Sequence, residues 1–245
     1  KKVTNMNKTI ITRTFFYISG LLILALGIIL NTKSGLGVSP IISVSYSIST
    51  ILHMNFGNMT FILYAIFVLI ELILHTVRYT RIPQRVNKKE YEVLRPSIHK
   101  SLSLVLLSDL LQLPLSLVFT RFMNLFSKWI PSPQEHMVVQ LLVLLAGILL
   151  TGIGAAMSLN MRIIPNPGDG IVQAIADCIN KPVGFTKNCF DLLNISITIC
   201  VSLGAVHHLI GIGIGTVFSV LGVGRVIALF NHLFMEKMIA AAGVE

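Results

Sequence analysis

The sequence predicts an all-α membrane protein. Six transmembrane helices are expected, arranged as two inverted-topology three-helix repeats. Each repeat has a Pro/Gly break and a short re-entrant or interfacial helix. Three observations carry this. Of 245 residues, 54% are hydrophobic and only 12% charged, where a soluble domain carries about 25% charged residues. The apolar residues fall in blocks of roughly 18 to 25, the length that crosses about 30 Å of hydrocarbon. Finally, the chain resembles itself when displaced by 127 positions: Gly20 meets Gly147, Gly27 meets Gly154, Pro40 meets Pro167 and Gly57 meets Gly184.

The elements follow in order. After an N-terminal segment (1–13), the first span covers about Thr14 to Asn31. A Gly-rich break, Thr32 to Pro40, precedes a Ser-rich stretch, Ile41–Leu52, too short to span. The second span is about Met59 to His75, and the third about Ser101 to Phe122, with a basic loop (77–100) between them. The first repeat is therefore 14–122 and the connector 123–136. The second repeat is 137–235, with spans at about Met137–Asn160, Asn188–Gly204 and from His208 to about Phe230. Its break is Ile164 to Gly170, its short helix Ile171–Ile179, and a tail (236–245) follows. The third spans correspond more loosely, at a displacement of 110.

Three spans are an odd number, so the second half must enter the membrane from the opposite side. Inverted halves of this kind are common in secondary transporters, which hold substrate at discontinuous helices near the midplane. A re-entrant helix is tolerated only where its backbone faces protein or a water-filled cavity. The helix starts at Pro40 and at Pro167-Gly168-Asp169-Gly170 would then present free N–H groups, which suit an anion.

Charge sets the orientation. Lys1, Lys2, Lys8 and Arg13 precede the first span. Arg78, Arg81, Arg85, Lys88, Lys89, Arg95 and Lys100 fill the central loop against Glu90 and Glu92. The opposite side has Lys33 in one loop, and Arg121 and Lys128 against Glu135 in another. The positive-inside rule puts both termini in the cytoplasm. The net charge of +9 is thus a membrane signature, and nucleic-acid binding, which needs a folded basic module, is excluded. No cleavable signal peptide is expected, because the first apolar segment lacks an Ala-x-Ala exit. Cys178, Cys189 and Cys200 are odd in number and read as small apolar packers.

Ionisable groups inside spans are costly and are candidates for function. Asp109 lies within the third span, Asp169 at the start of the second short helix, and Asp177 two turns on. Arg225 follows the glycine run of the last span, where it either snorkels to the surface or faces a cavity. Glu71 reads as structural, within reach of the basic loop, and Asp191 as an i,i+4 partner of Lys187. The run Gly211–Thr216 has no preceding strand and no GxxxxGK[ST] pattern, so it is not a nucleotide loop; it reads as a close-packing surface, with a cavity-lining backbone as the alternative. His207-His208 has no neighbouring carboxylate, and no HExxH, GxSxG or Cys/His cluster occurs. No metal, cofactor or enzymatic chemistry is expected.

Gly35-Leu36-Gly37, then Pro167-Gly168-Asp169-Gly170, then Gly213-Ile214-Gly215-Thr216-Val217 with Gly222 and Gly224, resemble the YczE/YitT-like family of bacterial membrane proteins. The likeness runs from about Thr14 to Phe234. Members commonly carry an acid after the first Gly-Leu-Gly as well. Here that stretch reads Val38-Ser39-Pro40-Ile41, so only Asp169 matches. The resemblance implies a bacterial inner-membrane protein and says little about substrate.

The function expected is a small-molecule permease with its site between the repeats. The substrate-binding candidates are Gly35, Gly37, Ser39, Pro40, Asp109, Asn166, Pro167, Gly168, Asp169, Gly170, Asp177, Thr216 and Arg225. The expected partners are the lipid bilayer and a small molecule, anionic if the helix starts decide its sign. A homodimer or an energising partner subunit is left open. The alternatives are a scaffold protein without transport, or a binding subunit that needs an ATP-driven partner.

Overall fold

The computed structural model describes residues 2–85, 102–133 and 136–244, and these form helices joined by short turns, with no strand among them. In chain order the helices are α1 (Lys2–Lys33), α2 (Pro40–Ile51), α3 (Phe56–Arg85), α4 (Leu102–Trp129), α5 (Met137–Asn160), α6 (Pro167–Ile179), α7 (Val183–Val206) and α8 (Ile214–Ala242). Six are long and apolar enough to cross a membrane, whereas α2 and α6, of 12 and 13 residues, are not. The chain is a multi-pass helical membrane protein in contact with lipid.

Helical structure runs further than the apolar blocks. α1 begins at Lys2 where the apolar stretch begins near Thr14, and α8 runs through the tail to Ala242. α3 extends through Arg78 to Arg85, taking in the start of the segment read as a loop, and α4 carries Arg121 and Lys128 on its last turns. Backbone hydrogen bonding does not stop where hydrocarbon does, and Lys, Arg and Glu are good helix formers. Lys88, Lys89, Glu90, Glu92, Arg95, Lys100 and Glu135 lie outside the described residues.

Helix boundaries repeat at the displacement read from sequence. α1 ends at Lys33 and α5 at Asn160; α2 starts at Pro40 and α6 at Pro167; α3 starts at Phe56 and α7 at Val183, each pair 127 positions apart. Both short helices open with proline at a position whose N–H has no intrahelical acceptor, so the missing donor costs nothing.

Two compact units interleave along the chain: Lys1–Thr60 with Val118–Ile163 and Asp191–Glu245, and Phe61–Leu117 with Ile164–Phe190. In the first, α1 packs along α5, and α8 packs against both. Glycines allow the α1–α5 approach. A Cβ at Gly154 would overlap the backbone of Leu24, one at Gly27 the backbone of Thr151, and one at Gly20 would lie 2.8 Å from the Ser158 nitrogen. Leu144, Ile148 and Val223 form the apolar contact of α5 with α8. Asn31 Nδ2 donates to Ser219 Oγ at 2.6 Å, and Arg13 donates to the carbonyls of Met161 and Arg162 beyond the end of α5. α2 lies along α7 through two hydroxyl pairs, Ser43–Thr198 at 2.7 Å and Ser47–Ser202 at 2.8 Å. Cross-helix hydroxyl bonds of this kind replace water as partners in lipid.

In the second unit α6 runs beside α3 in the same direction. Asn166 hydrogen-bonds Tyr64, Gly170 abuts Glu71, and Asp177 reaches Arg78. The Tyr64, Phe67 and Phe190 rings stack in sequence beside them. At 1.5 Å per residue, Glu71 is about 22 Å from the Phe56 end of α3. α6 therefore begins beside the middle of α3 and ends beside its later turns.

Candidate functional site

The first turn of α6 is built by its own residues. Asn166 caps it: the Asn166 side-chain oxygen accepts from the Gly168 N–H at 3.1 Å. Asp169 follows in the first turn, where a carboxylate is favoured by the helix dipole. Pro167, Gly168 and Gly170 are buried. Gly170 brings the backbone close to α3. A Cβ placed on it would sit 2.8 Å from both carboxylate oxygens of Glu71 and 3.0 Å from Gln112 Oε1.

Glu71 and Gln112 are 1% and 0% exposed, so their hydrogen bonds must be found inside the protein. Gln112 Nε2 donates to Glu71 Oε2 at 2.6 Å. Glu71 Oε1 and Gln112 Oε1 have no partner among the described residues. One turn away, His75 Nδ1 meets Asp109 Oδ2 at 2.7 Å, and both side chains are largely buried. At the far end of α6, Arg78 donates to Asp177 Oδ2 at 2.7 Å, with about a third of each side chain exposed. Glu71, His75 and Arg78 thus line one stripe of α3 at helical spacing, faced by Asp109 and Gln112 on α4 and by Asp169, Gly170 and Asp177 on α6. Groups of three or more His, Cys, Asp or Glu placed to hold a metal are absent among the described residues.

Of the residues expected from sequence, Asp109, Asn166, Pro167, Gly168, Asp169, Gly170 and Asp177 come together in this unit. The others lie in the first unit. Gly35 and Gly37 adopt positive φ, +74° and +119°, in the break after α1, and Ser39 and Pro40 start α2. Gly37 lies against the start of α8, where a Cβ would come 2.6 Å from Thr216 Oγ1. Thr216 Oγ1 accepts from the Gly213 N–H and donates to the Gly211 carbonyl. The Leu36 carbonyl accepts from the Gly215 N–H at 2.7 Å, and the Gly211 carbonyl from the Val38 N–H at 2.9 Å. This pins the break to the glycine run and leaves a cleft of about 200 Å³ beside Gly35, Gly37 and Tyr46. Arg225 is exposed on α8. Arg121 hydrogen-bonds Asn58 at a second cleft, of about 370 Å³, between the start of α3 and the last turns of α4.

Sequence reasoning passed over Glu71, Gln112, His75 and Arg78 as site residues. The signal was present as spacing. Glu71, His75 and Arg78 recur at i, i+4 and i+7, and Asp109, Gln112 and Ser116 at i, i+3 and i+7, each a polar stripe on an otherwise apolar helix. Glu71 meets Gln112 and the α6 backbone there.

Comparison with known families gives one match. A family of unknown function, DUF6198, matches over residues 11–86 and 100–232. The chain belongs to this family. No curated protein and no solved structure matches the chain.

Proposed function

We propose that this DUF6198 protein is a small-molecule permease of the bacterial cytoplasmic membrane, not an enzyme, with both termini inside. The observation that carries the reading is Glu71: a buried carboxyl group in a long apolar helix, closed over by the first turn of the short helix α6. Such a group is expensive to hold in lipid and is kept where it serves a ligand or an ion. Asp109, Asp169 and His75 lie around it, so ionisable groups from three helices meet at one place.

Contacts related by the 127-residue displacement support the reading of two inverted halves. Exchanging the halves turns the Gly20–Gly154 contact into Gly147–Gly27, which also occurs: a Cβ on Gly147 would lie 3.0 Å from the Gly27 carbonyl. It turns the Ser43–Thr198 pair into Gly170–Glu71, a close approach of α6 to α3. An exchange of this kind is what inverted repeats produce, and transporters use it for alternating access. Glu71, Asp109 and Gln112 belong to the first half and Asn166–Gly170 to the second, so the cluster sits where the halves meet. The helix start at Pro167 by itself favours an anion, while Glu71, Asp109 and Asp169 favour a cationic or proton-carrying partner.

The test is flux into proteoliposomes over a broad metabolite panel, with ligand-induced thermal stabilisation of the purified protein in parallel. Asp169→Asn is expected to abolish both responses while melting as a folded protein. Wild-type protein that folds, gives no stabilisation and moves nothing would overturn the permease and leave the scaffold reading.

A further inference from the structure

We propose that Glu71 carries an exchangeable proton, held in a neutral acid–amide ring with Gln112 and released when the first turn of α6 withdraws. The argument starts from unsatisfied oxygens. Glu71 Oε2 accepts from Gln112 Nε2, which leaves Glu71 Oε1 and Gln112 Oε1 without donors. Both residues are sealed from solvent, so two buried acceptors go unpaired, which the folded state does not tolerate cheaply. Both residues face the same point, since a Cβ on Gly170 would be 2.8 Å from Glu71 Oε1 and 3.0 Å from Gln112 Oε1. One proton answers both: on Glu71 Oε1 it donates to Gln112 Oε1, closing a two-bond ring in which every polar atom has a partner.

The surroundings favour a neutral acid over a carboxylate. On α3 the titratable neighbours are Tyr64 and Arg78, two turns before and after it on the same face, and His75, whose Nδ1 is engaged by Asp109. On α4 the facing group is Asp109 itself; on α6 it is Asp169, with Asp177 further along and occupied by Arg78. No cation within this set is aimed at Glu71, so an ionised Glu71 would be a buried charge among other acids. Gly170 completes the arrangement, because only a residue without a side chain lets the α6 backbone cover the ring. Losing the proton to water leaves a carboxylate that must be hydrated or matched by a cation, and either requires α6 to move off. Protonation of Glu71 and the position of α6 are thereby linked, which makes the carboxyl a coupling group for the proposed transport.

The full chain in lipid nanodiscs, with carbon-13-labelled glutamate, tests this by infrared spectroscopy in light and heavy water. Among the described glutamates Glu71 is buried and Glu236 exposed. The expected result is an isotope-shifted protonated-carboxyl band at neutral pH, where ordinary carboxylates are ionised. It should be lost in Glu71→Gln and moved in frequency in Gln112→Leu, which removes the acceptor of the acid proton. A labelled wild type with no protonated glutamate band at neutral pH overturns the inference without needing either variant to fold. The inference rests on the permease reading only for its use. A band without flux would refute transport and keep the proton, and flux without a band would refute the proton and keep transport.

Discussion

Gly170 and Glu71 meet so closely that a single methyl group on the glycine would stand 2.8 Å from each oxygen of the carboxylate. The contact joins the start of a short helix to the interior of a spanning one, and its consequences are measurable.

Gly170→Ala should force the carboxylate back into a packed surround, at a cost of about 1–3 kcal/mol. The melting temperature in detergent should fall accordingly. The cost belongs to the pair, so it should largely vanish in a Glu71→Ala background. An equal loss in both backgrounds would place the strain elsewhere.

Glycines of the same sequence type should divide by what they touch. Gly27→Ala drives a Cβ into the Thr151 backbone, which cannot swing aside, and should cost at least about 2 kcal/mol. Gly224 on α8 has no atom within 4 Å of the equivalent position. Gly224→Ala should be neutral or stabilising by up to about 1 kcal/mol, the ordinary helical gain of alanine over glycine. Parallel melts of the two variants are enough; similar losses would contradict the close α1–α5 approach.

Gly35 and Gly37 both use positive φ, which costs an L-residue about 1–2 kcal/mol. At Gly35 the nearest atom to a new Cβ is 3.6 Å away, whereas at Gly37 Thr216 Oγ1 is 2.6 Å away and the Gly213 nitrogen 2.8 Å. Gly35→Ala should show the backbone cost alone. Gly37→Ala should lose more, because it also breaks the seating of the break on the start of α8. Equal melting temperatures would argue against that seating.

The two polar pairs of the second unit should differ in worth. His75–Asp109 is buried, and His75→Ala leaves a carboxylate without its partner, for a loss of about 1–3 kcal/mol. Arg78–Asp177 is a third exposed on each side, and its coupling should stay below about 1 kcal/mol after screening. Double-mutant cycles read both, and a larger coupling at Arg78–Asp177 would contradict the burial of the first pair.

Much of the fold was legible before any coordinates. Pro40 announced the first short helix, while the second starts at Pro167, four residues before the Ile171 read from sequence. Gly20, Gly27, Gly147 and Gly154, read as marks of the repeat, lie where α1 and α5 approach each other. These signals are local. Proline fixes where a helix begins, and a small residue in an apolar span permits a neighbour whatever that neighbour is. Asp169 was also legible, as an acid at a helix start. Its neighbour Glu71 was not, because an acid near the end of an apolar block reads equally as a surface partner for nearby basic residues.

By itself, then, the sequence determined a helical membrane protein, its spans in order, its breaks and its internal displacement of 127 positions. Each of these follows from the length of apolar runs and the backbone demands of proline and glycine. Only the tertiary structure decided that Glu71 faces Gln112 and the first turn of α6, that Asp109 pairs with His75, and that Asp177 pairs with Arg78. Those choices depend on which stripe of α3 meets which stripe of α4 and how deep α6 lies beside it. Rotation and depth are set by packing summed over whole helices, and no single residue encodes them.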